Sequence, residues 1–100
     1  MSKFMKFDDD KVRFELVEPW FHEDLAKTLT MGAKKYKANN WKLCKDKDRY
    51  IGALDRHFNE LKKGNYIDDE SLLQHAAHIG FNAMALHYLI RQEMENEDRS

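Results

Sequence analysis

Apolar residues recur at helical spacing in three segments of the chain, which predicts an all-α protein. The first predicted helix begins at Pro19, which suits a first helical turn, and continues to Tyr36. The second begins at Asp48, a suitable N-cap, and ends at Gly64. The third follows a short turn at residues 65–69 and continues to about Arg91. We therefore predict a small bundle of three main helices.

The segments outside these helices are polar. Residues 1–18 lack a regular pattern, so we predict an extended N-terminal arm. Residues 93–100 are acidic, and we predict a solvated tail that frays. The helical domain then covers residues 19–92. Residues 37–47, between the first two helices, are typical of a polar loop.

The third helix carries a polar stripe on an otherwise apolar surface. At about 100° per residue, His75, His78 and Asn82 fall on one narrow face, and an earlier helix start would add Asp68 and Ser71. A helix that is apolar nearly all round is normally buried. An unpaired buried polar group costs about 1–3 kcal/mol. We therefore expect hydrogen-bond partners, a metal or a ligand to face this stripe.

Composition narrows the class of protein. The chain has 100 residues, of which 42% are hydrophobic, so it makes one domain with a thin core. We expect the core to be completed by oligomerisation into a dimer or larger assembly of identical chains. A net charge of −1 provides no bulk basic field for a nucleic acid polymer or an anionic membrane. The single cysteine, Cys44, fits a reducing compartment, and no segment resembles a signal peptide or a membrane span. We expect a cytoplasmic protein.

Two neighbouring helices each present a polar pair three residues apart. His57 and Glu60 lie on the second helix, and His75 and His78 on the third. The turn between them contains Asp68 and Glu70. Helical bundles build metal sites from such pairs, in which carboxylates favour Mg²⁺ or Mn²⁺ and imidazoles favour Mn²⁺ and later metals. The alternative is that the histidines are core residues whose nitrogens bond backbone carbonyls, carboxylates or water. Both interpretations stay open on the residues alone.

The segment from Gly32 to Trp41 offers a second kind of chemistry. Tyr36 and Trp41 have flat faces for a base, Asn40 has a donor and an acceptor for a base edge, and Lys35 has charge for phosphates. The alternative is a loop whose aromatic rings plug the end of the bundle, and buried aromatics are commoner than stacking platforms. Further basic side chains could clamp phosphates or lie on the surface. They are Lys11, Arg13, Arg49 and Arg56.

Several short blocks together carry a family resemblance. They are Asp-Lys-Val-Arg-Phe-Glu-Leu at 10–16, Gly-Ala-Lys-Lys-Tyr at 32–36, Asn-Trp at 40–41, Ala-Leu-Asp-Arg-His at 53–57, Asp-Asp-Glu-Ser at 68–71, and His-Ala-Ala-His at 75–78 with Asn82. In these blocks the chain resembles the short phage-encoded dATP/dGTP diphosphohydrolases, distant relatives of the all-α MazG-type nucleotide pyrophosphohydrolases. The resemblance implies cleavage of a purine deoxynucleoside triphosphate to the monophosphate and pyrophosphate with Mg²⁺ or Mn²⁺. It also implies a helical dimer or tetramer.

Spacing and the resemblance together assign roles to the candidate residues. The wider MazG class has Glu-x-x-Glu and Glu-x-x-Asp as metal ligands on successive helices. This chain has His57-x-x-Glu60 and His75-x-x-His78 at the corresponding places. Metal binding is therefore expected to depend more on Asp68 and Glu70 in the turn. The predicted metal ligands are Glu60, Asp68 and Glu70, to which His57 or His75 could add a further ligand. The predicted catalytic residues are Glu60, His57, His75 and His78. The predicted substrate-binding residues are Lys11, Arg13, Lys35, Tyr36, Asn40, Trp41, Arg56 and Asn82. Two residues of these sets, His78 and Asn82, are expected to orient metal ligands or water.

Three rival functions remain. A protein that has lost its metal centre would bind nucleotide without turnover, and a small helical interaction module would bind none, with the histidine stripe as a polar seam in a dimer core. A metal hydrolase of the HD type has less support, because no histidine is followed directly by aspartate.

Overall fold

The computed structural model describes residues 10–99, and within them the chain is helical, as the periodicity predicts. A 3₁₀ turn at Phe14–Leu16 precedes α1 at Pro19–Lys35, and a second 3₁₀ turn occupies Asn40–Leu43. The two remaining helices are α2 at Lys47–Lys62 and α3 at His75–Arg99. The all-α prediction is confirmed for the described part of the chain. None of these helices is long and apolar enough to cross a membrane.

The helices α2 and α3 pack as an antiparallel pair. Tyr50, near the start of α2, packs in a cluster with Ala85 and Leu89 of α3. His57, a later residue of α2, contacts His75 at the start of α3. This pairing brings the polar end of α2 against the polar stripe of α3.

The first helix packs on α3 through an unusually close contact. A β-carbon at Gly80 would lie 2.9 Å from Cε1 of Phe21, which is shorter than real β-carbon contacts. Glycine therefore lets the Phe21 ring of α1 approach the backbone of α3. This contact holds α1 in position, so that its later turns form one wall of a cavity that Trp41 and Asn82 also line.

The core is as thin as a chain of this length predicts. The buried apolar residues are Tyr50, Ala77, Ala85 and Leu89, and the buried polar residues are His75 and Asn82. Many large apolar side chains remain exposed, including Phe14, Leu16 and Trp20. Oligomerisation, which would cover such surface, stays a prediction.

Two predicted helix starts are wrong. Asp46 rather than Asp48 caps α2, because its Oδ1 accepts the backbone N–H of Asp48 at 3.0 Å. The third helix starts at His75 and not directly after residue 69. Leu72 has a φ of 63°, which interrupts any helix before that point.

The predicted end of the third helix is also wrong. The helix continues beyond Arg91 to Arg99. The segment is rich in Gln, Glu and Met, which favour helix, and Arg91 pairs with Glu95 one turn later at 3.2 Å. At the other end, residues 10–18 of the predicted arm are exposed, and residues 1–9 lie outside the described part of the chain. The domain limits at 18 and 92 stay predictions.

Candidate functional site

The loop between α2 and α3 is folded by its own backbone hydrogen bonds. The backbone N–H of Asp68 donates to the carbonyl of Leu73, and the N–H of Leu72 donates back to the carbonyl of Asp68, both at 2.8 Å. The N–H of His75 donates to the carbonyl of Tyr66, also at 2.8 Å, and closes the loop onto the first residue of α3. These bonds fix the Asp68 side chain beside the start of α3.

Three imidazole rings meet between α2 and α3. The Nδ1 atoms of His57 and His75 lie 2.8 Å apart. The rings of His57 and His78 stack with centroids 4.7 Å apart and an interplanar angle of 8°. The cluster therefore contains His57 from the predicted pair on α2, and both His75 and His78 from the predicted pair on α3.

A serine joins this cluster to the loop. Ser71 Oγ and His78 Nε2 share a hydrogen bond of 2.6 Å, and Ser71 Oγ accepts the N–H of Leu73 at 3.2 Å. The backbone N–H of Ser71 donates to Asp68 Oδ2 at 2.8 Å, and the same carboxylate oxygen lies 3.7 Å from His78 Nε2. Ser71 therefore holds both the carboxylate of Asp68 and the ring of His78.

Burial and neighbouring charges set the protonation of these groups. Burial lowers the pKa of His57, and the positive charges that His78 and His75 would carry lower it further. Burial also lowers the pKa of His78, against the opposing effect of Asp68. For Asp68, burial acts to raise the pKa, but the hydrogen bonds from Ser71 and the charge of His78 outweigh it and lower the pKa. Neutral imidazoles and an ionised carboxylate are the forms that bind metals.

The described residues contain one group with the donors and spacing of a metal site. One donor atom each from His57, Asp68 and His75 lie within 4.8 Å of one another. Of the predicted ligands, Asp68 belongs to this group, while Glu60 and Glu70 line a cavity that His57, Asp68 and His75 also line. The carboxylate of Glu60 contacts Lys63 Nζ at 2.9 Å and accepts Asn65 Nδ2 at 2.7 Å.

The cavity at this cluster has a volume of about 690 Å³. Arg56 of α2 lies on its wall and contributes the positive charge that was predicted for phosphate binding. The other described residues on its wall are His57, Glu60, Gly64, Asn65, Tyr66, Ile67, Asp68, Asp69, Glu70 and His75. It is an open, polar cavity with both signs of charge.

A second cavity, of about 720 Å³, lies between α1, the second 3₁₀ turn and α3. Four predicted substrate-binding residues line it: Tyr36, Asn40, Trp41 and Asn82. Asn82 is buried, and its Nδ2 donates to the carbonyl of His78 at 2.8 Å. The structure thus brings the predicted base-binding residues to a single cavity.

Trp41 is also part of the packing. Its ring meets Phe81 and Tyr88 edge-on, with centroids 6.1 Å and 5.2 Å away. Its carbonyl accepts the hydroxyl of Tyr50 at 2.6 Å. The alternative of a ring that plugs the bundle is therefore correct in part, because Trp41 both packs against the core and lines the cavity.

Three predicted phosphate-binding residues lie outside the described walls of both cavities. Arg13 pairs with Glu15 at 2.7 Å, and Lys11 is exposed in the arm. The Nζ of Lys35 lies 5.3 Å from the ring centroid of Tyr36. Tyr36, and then the charge of Glu70, raise the pKa of Lys35.

Sequence reasoning missed the bridging role of Ser71 and the place of Thr28, Arg49 and Phe81 on the second cavity. Ser71 could be placed on the line of the stripe, but its bond to His78 depends on the path of the loop. Arg49 was one of several basic residues, and no local signal separated it from the others.

The family model described as "dATP/dGTP diphosphohydrolase, N-terminal" matches residues 2–99. The chain belongs to this family. A dATP/dGTP diphosphohydrolase of Salmonella phage PMBT28 is 38% identical over 95 residues, which cover 95% of this chain and 32% of that protein. The chain thus spans about a third of the length of this relative. No solved structure matches the chain.

Proposed function

We propose that this chain belongs to a metal-dependent diphosphohydrolase that converts dATP or dGTP to the monophosphate and pyrophosphate. The family and the name of the phage relative support this activity. In the reaction, water adds to the α-phosphorus, the bond to the bridging oxygen breaks, and pyrophosphate leaves with that oxygen. The relation of the family to MazG-type enzymes is part of the same proposal.

The observation that carries the proposal is that one polar face of α3 reaches both cavities. His75 lies on the wall of the first cavity and Asn82 on the wall of the second. These residues are two helical turns apart, or about 10 Å along the axis. A nucleotide has an aromatic base at one end and phosphates at the other. The second cavity has the aromatic rings of Tyr36 and Trp41, and the first has the three donors that would hold a metal ion for the phosphates.

The second cavity has groups that suit a purine base. Tyr36 and Trp41 present aromatic rings, and stacking on such a ring contributes about 1–3 kcal/mol per base. Asn40 and Asn82 bring amide groups that pair with the donors and acceptors of a base edge. This placement favours the base end of the substrate here.

The first cavity has groups that suit the phosphates. The guanidinium of Arg56 can donate two hydrogen bonds to phosphate oxygens. A divalent ion, Mg²⁺ or Mn²⁺, when bound at His57, Asp68 and His75, would supply charge for the triphosphate and a more acidic water. Ser71 holds Asp68 in place through the contact to its carboxylate.

Product analysis tests the proposal. The purified chain is incubated separately with the four dNTPs and Mg²⁺ or Mn²⁺, and the nucleotides and pyrophosphate are separated by anion-exchange chromatography. We expect dAMP or dGMP and equimolar pyrophosphate, with little product from dCTP or dTTP. Asp68→Asn should abolish product, whereas Asp55→Asn, an exposed carboxylate on α2, should not.

A second measurement separates binding from turnover. Tyr36 is 66% exposed, so Tyr36→Ala should weaken nucleotide binding about tenfold with little change in the unfolding midpoint. Saturable binding of dATP without products would favour a non-catalytic nucleotide-binding protein. If the chain binds no nucleotide, the base site is wrong and a helical interaction module becomes the better explanation.

A further inference from the structure

We infer that His57, Asp68 and His75 form a divalent-metal site that selects Mn²⁺ or a later first-row ion over Mg²⁺. The inference deepens the proposed function and rests on it for the phosphate that would share the ion, whereas the metal site itself is tested by binding alone. This site keeps Asp68 of the predicted carboxylate ligands and combines it with both His57 and His75 in place of Glu60 and Glu70.

Three separate parts of the chain bring the donors together. His57 comes from the second half of α2, Asp68 from the folded loop, and His75 from the first residue of α3. One donor atom from each lies within 4.8 Å of the other two. Because the loop is fixed by backbone hydrogen bonds at both Asp68 and His75, the donors are positioned before any ion binds.

The contact between the two imidazoles itself indicates a place for a cation. The Nδ1 atoms of His57 and His75 lie 2.8 Å apart, so both cannot carry a hydrogen. At least one lone pair therefore faces into the cluster. His75 is only 6% exposed, so its ring is held by the surrounding protein. A cation bound by both rings would replace the proton that they otherwise share.

A second layer of contacts orients the ligands. Ser71 donates its backbone N–H to the carboxylate of Asp68 and bonds His78 through its hydroxyl. His78 in turn stacks on the ring of His57. Such outer contacts fix the direction of metal ligands, and their loss usually weakens metal binding about 10- to 100-fold. Ser71 and His78 act here as positioning residues.

The chemistry of the donors sets the preference among metals. Two imidazole nitrogens and one carboxylate oxygen suit Mn²⁺, Fe²⁺, Co²⁺ and Zn²⁺, whereas Mg²⁺ prefers oxygen ligands. Glu60 could provide a further oxygen ligand, but its carboxylate pairs with Lys63 and accepts a hydrogen bond from Asn65. Three protein ligands also leave positions for water and a phosphate oxygen.

The test is metal binding to the full chain after removal of metal with EDTA. Isothermal titration with Mn²⁺, Co²⁺ and Mg²⁺ should give one strong site per chain for Mn²⁺ and Co²⁺, at least about tenfold tighter than for Mg²⁺. His57→Gln and Asp68→Asn should each weaken Mn²⁺ binding at least about tenfold. His87→Gln is the matched control, since His87 is an exposed histidine elsewhere on α3. Equal affinity for Mg²⁺ and Mn²⁺, or an equal loss in the control, would overturn the inference.

An NMR measurement on the wild-type protein tests the metal site even if the variants do not fold. Substoichiometric Mn²⁺ should broaden the imidazole NMR signals of His57 and His75 before those of His22 and His87, which are exposed. Uniform broadening of all five histidines would overturn the site. Mn²⁺ binding at this cluster without dNTP hydrolysis would refute the proposed function but not the metal site. If the wild-type protein hydrolyses dNTPs and the variants keep the wild-type affinity for Mn²⁺, the metal site is refuted but the proposed function is not.

Discussion

The contact between Phe21 and Gly80 gives a sharp test of how α1 is placed. A β-carbon at Gly80 would meet Cζ of the Phe21 ring most closely, and it would lie 2.9 Å from Cε1 and 3.6 Å from Cε2. Gly80→Ala therefore forces the ring to move. At Gly52, in α2, the same addition meets nothing within 4 Å. The two substitutions make the same chemical change in two helices, and only one of them meets a neighbour.

The expected free energies follow from two opposing effects. Replacing glycine by alanine inside a helix stabilises the fold by about 1 kcal/mol. Overpacking a close contact costs about 1–3 kcal/mol, and the Phe21 ring, which is 41% exposed, can yield in part. Gly52→Ala should therefore raise the free energy of unfolding by about 1 kcal/mol. Gly80→Ala should leave it unchanged or lower it by up to about 2 kcal/mol.

Urea unfolding followed by far-UV circular dichroism measures both changes. The decisive arm repeats Gly80→Ala in a Phe21→Ala background, where the obstacle is gone and the substitution should become stabilising by about 1 kcal/mol. If Gly80→Ala already stabilises the wild-type protein as much as Gly52→Ala does, then Phe21 does not pack on Gly80. The position of α1 as a wall of the second cavity would then be incorrect.

Three further predictions concern stability. Tyr50→Phe should lower the free energy of unfolding by about 1 kcal/mol in urea titrations, because the carbonyl in the second 3₁₀ turn loses its hydrogen bond; an unchanged midpoint would argue against that bond. Asp46→Ala should cost about 1 kcal/mol and Asp48→Ala less, since only the first caps α2, and equal losses would contradict that assignment. In EDTA, the melting temperature should fall as the pH drops from about 7 to about 5. Burial lowers the folded-state pKa of His57 and His78, so below about pH 6.5 the unfolded chain binds more protons at these residues than the folded chain does. A flat profile, or an unchanged slope after His57→Gln, would refute this explanation.

The helices themselves follow from local sequence. Apolar spacing, the Pro19 start and the Gly64 stop are short-range signals, and they place three helices where the structure has them. The errors lie at helix ends, where one competing aspartate or one residue in the left-handed region decides the boundary. Leu72 with a φ of 63° is such a case, because leucine gives no local sign that it adopts this conformation.

The polar stripe is also a property of the sequence. His75, His78 and Asn82 share a face because of helical geometry alone, and the buried environment of His75 and Asn82 follows from the apolar residues around them. In the same way, Tyr36, Asn40 and Trp41 are near one another in the chain and could be predicted to share a cavity.

Only the tertiary structure decided which groups meet across elements. The register between the antiparallel helices α2 and α3 places His57 against His75 and His78. That register cannot be predicted from the spacing of residues within either helix alone. The folded loop brings Asp68 to the same point, while Lys63 and Asn65 engage Glu60. Helical periodicity determines which residues share a face, but the contacts between elements depend on packing of the whole chain, and the candidate metal site is built from those contacts.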